Sequence, residues 1–248
     1  MASAPLIRRP SLRLVLITVA AAVLYSSWPL GYWLNPGVNR GLASDLEAAH
    51  QPYNWIFIAL DIISGLLICT ASWWLLKLMK HVKLPLLRYA VIGFGAFGLL
   101  TAIDALLPLD CVNVLNRCGS VLDDPTIIIH GIVSIGSIVG LTISIMSVWW
   151  LLARGGQAAR GLRWLLNGTL IVWFGFGLIT FALIVKARSS AVSQHLFITV
   201  CSLWTAALPY LAWRALQVKQ SALNSGDEAT MRDLVSHPNE AIKRDGPD

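Results

Sequence analysis

Residues 54–76 read NWIFIALDIISGLLICTASWWLL. A helix crossing a bilayer needs roughly 17–25 predominantly apolar residues, and this run supplies them with one interruption, Asp61. A charge at that depth costs roughly 2.5–3.5 kcal/mol on insertion scales, so an acid retained there is expected to face a bundle interior and to have a partner. Five further stretches have the same character: about 13–33, 89–108, 126–152, 164–185 and 194–213. With no water to satisfy the backbone, such spans must be helices. The expected fold is all-α, a polytopic bundle of six transmembrane helices.

Composition agrees. Of the 248 residues, 56% are apolar and 13% charged, against about 25% charged in soluble domains. The domain expected over 13–215 is flanked by a short N-terminal segment, 1–12, and a polar tail, 216–248, whose low apolar content predicts disorder. The run after RRPSLR is too long for a secretory h-region and meets bulky YSSWPLGYWLNPG instead of small residues, so it is read as an uncleaved first helix.

Orientation follows from Lys and Arg in alternate loops. Arg8, Arg9, Arg13, Lys77, Lys80, Lys83, Arg88, Arg154, Arg160, Arg163, Arg214 and Lys219 fall on one side, which is expected to be cytoplasmic together with both termini. Only Arg40, Arg117, Lys186 and Arg188 fall on the other. The net charge of +6 is thus explained by insertion and lipid headgroups, and a nucleic-acid partner is not expected.

On the expected outer side, Trp28, Tyr32 and Trp33 fit an interfacial aromatic belt. The following loop turns at Asn35-Pro36-Gly37, and Ser44 with Glu47 has the spacing of a capping box on a short surface helix. Asp45, Glu47, Asp110, Asp123 and Asp124 are read as solvated loop acids, with an outer rim that gathers cations as the alternative. Cys111 and Cys118 bracket a loop facing an oxidising compartment and are expected to form a disulfide, with a zinc pair as the alternative. Glycines at 65, 93, 95, 98, 131, 136 and 140 predict close helix approach.

Four ionisable residues interrupt the spans: Asp61, Asp104, His130 and His195. Counted at 1.5 Å per residue, all lie within roughly 10 Å of the outer surface. Ser64 shares a face with Asp61, and Ser134 with His130. Three readings of this cluster stay open. It is a polar clamp between helices, a cavity for a lipid headgroup or small solute at the outer face, or a metal-dependent lipid hydrolase. In the last case Asp61, Asp104 and His130 would hold zinc, which activates a water. The binding or sensing reading is preferred, with no cofactor, and the hydrolase is the alternative.

The order NPG, SDLEAAHQPYNWIF and Asp61-x-x-Ser64-Gly65 resembles the bacterial six-helix membrane family catalogued as domain of unknown function 998. So do IDALLPLDC with a second cysteine before span four, and His130-x-x-x-Ser134. Gln194-His195 falls where that family commonly has a polar residue followed by Arg. The resemblance covers roughly 14–215 and implies an uncharacterised multi-pass protein of the bacterial inner membrane, without an established activity.

Overall fold

The computed structural model describes residues 9–37, 42–80, 82, 84–110, 125–153, 160–185 and 191–224. Eight α-helices follow in order: α1 (Leu12–Tyr25), α2 (Gly31–Leu34), α3 (Ser44–Glu47), α4 (Asn54–Leu78), α5 (Pro85–Ala105), α6 (Pro125–Ala153), α7 (Arg160–Val185) and α8 (Ala191–Asn224). A 3-10 turn, Trp28–Leu30, links α1 to α2. No strand occurs among the described residues. Among the described residues six segments are long and apolar enough to cross a membrane: Leu12–Leu34, Asn54–Leu78, Pro85–Ala105, Pro125–Ala153, Leu162–Ile179 and Val192–Gln217. The chain is an all-α, multi-pass membrane protein.

Local chemistry starts and stops these helices. The Ser11 hydroxyl accepts the Leu14 N–H at 3.3 Å and caps α1. Pro85 opens α5, where its missing N–H costs nothing. Helix α8 continues through Pro209 to Asn224, beyond the expected boundary at 215. Its polar last turns hold no glycine or proline to stop them.

The spans close into a ring. Helix α1 packs on α4 and α8, α4 on α5, α5 on α6, and α6 and α8 both meet α7. Ile68, Phe94, Phe97, Leu141, Ile145, Trp204 and Leu208 fill the common core. Two glycine pairs set the closest approaches. A Cβ on Gly65 would strike the Gly98 carbonyl oxygen, and one on Gly93 would lie 2.5 Å from the Gly140 carbonyl oxygen. The α4–α5–α6 layer is therefore backbone against backbone, and these three helices carry Asp61, Asp104 and His130.

One end of the bundle collects the described basic residues Arg9, Arg13, Lys77, Lys80, Arg88, Arg163 and Arg214. The opposite end is closed by the segment 42–53. There Leu46, Ala48, Phe57 and Leu109 form a second apolar core, against which Trp28, Leu34 and Ile127 pack.

This segment departs from the sequence expectation. No side chain caps α3, whose N-cap position is Ala43, so the Ser44–Glu47 capping box does not form. Asp45 and Glu47 are not solvated either; they are 0% and 9% exposed. Leu46 and Ala48 insert into the second core and draw Glu47 between them, and Asp45 beside them, inward. Asp45 Oδ2 accepts the Leu42 N–H at 3.0 Å. Three further hydrogen bonds fasten the segment: Ala49 N–H to Leu109 O at 2.7 Å, Ala43 N–H to Gln194 Oε1 at 2.6 Å, and Asn35 Nδ2 to Pro52 O at 2.6 Å. It leaves through His50 and Tyr53 at φ of 67° and 60°. A left-handed conformation is uncommon for non-glycine residues and is strained for one as bulky as tyrosine.

Candidate functional site

Asp104 lies in the last turn of α5, where the helix dipole places partial negative charge and disfavours an acid. Two groups from the start of α6 compensate. The Ser134 hydroxyl donates to Asp104 Oδ2 at 2.7 Å. His130 Nδ1 lies 3.2 Å from Asp104 Oδ1 and 3.1 Å from Leu107 O. Both neighbours are acceptors, so Nδ1 must carry a proton. Just past the end of α5, the Leu107 carbonyl has no helical partner, and the imidazole therefore also caps that helix. His130 is 9% exposed.

Asp61 points elsewhere. Its carboxyl group is hydrogen-bonded to that of Glu47, which reaches it from α3. Two carboxylates are both acceptors, so this contact exists only while one of them holds a proton. Burial, then the charge of Asp61 and the bond to it, then the charge of Asp104, hold the Glu47 carboxyl well above the usual carboxylate range. Tyr25, at the end of α1, lies within electrostatic range of Asp61, Asp104 and Glu47 and stacks edge-on against Phe97, with centroids 5.3 Å apart. Thr101, one turn before Asp104 and on the same face, is buried with no hydrogen-bond partner for its hydroxyl.

The remaining candidates hold helices together. The Ser64 hydroxyl, fully buried, donates to Ala21 O at 2.9 Å and joins α4 to α1. His195 is buried and stacks on Trp28, with centroids 4.3 Å apart and planes 6° from parallel. His195 Nε2 and Trp28 Nε1 are buried without hydrogen-bond partners. Thus Asp104, His130 and Ser134 meet directly, Asp61 joins them through a shared electrostatic field, and Ser64 and His195 make separate contacts.

The zinc set does not assemble. No three His, Cys, Asp or Glu side chains among the described residues are grouped so as to hold a metal ion. Asp61 faces Glu47 instead of His130, which separates the three proposed ligands. Nor is a serine nucleophile set up, because Ser134 donates to the carboxylate and not to the imidazole. Cys111, Cys118, Asp123 and Asp124 lie outside the described residues; Cys69 and Cys201 are free thiols.

Sequence reasoning missed Glu47, Tyr25, Trp28 and Leu107 O as parts of this region. The apolar pair Leu46 and Ala48 beside Glu47 was the available signal that the loop helix is inserted. The Leu107 carbonyl had no sequence signal.

The profile of the family described as "Protein of unknown function (DUF998)" matches residues 18–210. The chain belongs to the DUF998 family. No curated protein and no solved structure matches it. The matched range begins within α1 and ends in α8, so this DUF998 domain takes in the whole polar cluster and the segment that covers it.

Proposed function

We propose that this DUF998 protein binds or senses a small group bearing positive charge at the α3 end of the bundle, either the ammonium of a lipid headgroup or a small amine. One observation carries the reading. Glu47, Asp61 and Asp104 converge there, while every described Lys and Arg lies at the opposite end. Among the described residues the cationic-capable side chain paired with these acids is His130, and such an acidic site favours a cation over a phosphate. By the basic-residue asymmetry, the site faces outward in the bacterial cytoplasmic membrane and both termini are cytoplasmic. Membrane lipids are then the nearest partners.

The hydrolase reading is weaker, since a metal-activated water needs a ligand set and no three His, Cys, Asp or Glu side chains among the described residues are grouped to provide one. The test is native mass spectrometry of the protein with phosphatidylethanolamine or phosphatidylglycerol, and separately with free choline. Retention of the ammonium-bearing lipid or of choline, lost in Asp61→Asn and Asp104→Asn, supports the proposal. Equal retention of both lipids in the wild type and no binding of choline would refute it.

A further inference from the structure

We infer that residues 42–53 form a proton-latched lid over the polar cluster: a proton shared between Glu47 and Asp61 holds it shut, and loss of that proton releases it. Three independent features support this. The lid meets the bundle interior through a carboxyl–carboxyl contact, which is attractive with one proton and repulsive with none. Hydrogen bonds from Ala43 and Ala49 and to Pro52 also tie it to the bundle, near its ends and middle. It exits through two left-handed non-glycine residues, His50 and Tyr53, whose backbone relaxes on opening.

The groups around the latch set its direction. Tyr25 on α1, Asp61 on α4 and Asp104 on α5 lie within electrostatic range of it, and His130 on α6 stands behind Asp104. From α8, His195 is turned onto Trp28 and Gln194 holds Ala43. On the lid, Asp45 accepts from Leu42, while His50 is exposed; Asp110 is exposed beside Leu109. Among the described residues the acids outnumber the cations here, so a second negative charge at the latch is disfavoured. Burial holds the Glu47 proton to higher pH than an ordinary glutamate would keep it. The lid is shut on the acid side and opens as pH rises. This goes beyond the binding proposal, and its test needs no ligand, so the two fail separately.

The test is hydrogen–deuterium exchange of the full-length protein in lipid nanodiscs, following the peptide that spans 42–53 between about pH 6 and pH 9 with intrinsic rates removed. Once the shared proton titrates, protection of the wild type should fall by about tenfold per pH unit, the slope of a one-proton linkage. Glu47→Gln and Asp61→Asn each place an amide donor against the remaining carboxylate, so protection should stay high and flat. His50→Ala should keep the wild-type slope. A flat wild-type profile overturns the lid whatever the variants do. So does a wild-type slope in whichever of Glu47→Gln and Asp61→Asn folds, or loss of the slope in His50→Ala.

Discussion

The Ser134 hydroxyl donates to Asp104 Oδ2 at 2.7 Å, while His130 Nδ1, one turn earlier on α6, lies 3.2 Å from the other carboxylate oxygen and bonds the Leu107 carbonyl oxygen at 3.1 Å. Two side chains of one helix thereby grip one acid at the end of another. The i, i+4 spacing of His130 and Ser134 makes this grip available to a single helix face. It fixes the register of α5 against α6 at the depth where the glycine contact of Gly93 with Gly140 no longer reaches.

That grip predicts coupling. Ser134→Ala should destabilise the protein by about 1–2 kcal/mol, between the small mean for membrane hydrogen bonds and the larger value for bonds to charged groups. In the Asp104→Asn background the same change should cost about half as much or less. Reversible unfolding in mixed micelles measures both. Strict additivity of the two substitutions would show that the 2.7 Å contact contributes nothing.

The glycines separate packing from composition. Gly65→Val and Gly140→Val each drive a side chain into the backbone of a neighbouring helix and should cost about 2–4 kcal/mol or abolish folding. Gly131 has nothing within 4 Å of an added Cβ, and Gly131→Ala should be neutral or stabilise by up to about 1 kcal/mol. Comparable loss at Gly131 and Gly140 would mean that glycine content, not close approach, matters here.

The contrast between Gly65 and Glu47 shows what a single sequence discloses. Span length and polarity are local properties, so the six helices were legible along the chain, and the helix-facing role of Gly65, Gly93 and Gly98 within residues 54–105. Asp104, His130 and Ser134 were legible too, because an acid or imidazole in a span needs a partner. Glu47 was not. A loop acid is ordinarily solvated, and its burial arises from Leu46 and Ala48 seeking Phe57 and Leu109, which lie in other elements. His195 misled for the same reason: its depth was readable, but its stacking on Trp28 depends on how α8 meets the end of α1.

Orientation is tested by labelling. In a background without native cysteines, a membrane-impermeant maleimide added outside intact cells should modify His50→Cys and miss Lys80→Cys, both at exposed positions at opposite ends of α4 and its approaches. The reverse pattern would invert the topology and turn the polar cluster toward the cytoplasm.

The sequence also predicts that Cys111 and Cys118 are bridged, provided their loop faces an oxidising compartment. Peptide mapping of protein purified without reductant should find them linked, and removing the bridge should cost about 2–3 kcal/mol for so short a loop. Recovery of both as free thiols would count against the outward assignment of that loop.

The last prediction follows from the proton between Glu47 and Asp61. The folded-state acidity of Glu47 is weakened, mainly by burial and next by Asp61, so folding raises its pKa above the ordinary value of 4.5. A raised acid favours the folded state fully below the unfolded value, and that contribution is lost as pH climbs through the folded pKa. The sign is the opposite of the usual salt-bridged carboxylate, which loses its contribution in acid. The Glu47 contribution to wild-type stability should therefore be full below about pH 4.5 and decline as pH rises above it. Glu47→Gln carries no proton to lose at that position and keeps a donor toward Asp61. It should be less dependent on pH and overtake the wild type on the alkaline side. Differential scanning fluorimetry across the pH range reads both curves. Parallel curves for wild type and Glu47→Gln would mean that Glu47 titrates as an ordinary exposed acid and that no proton is held between α3 and α4.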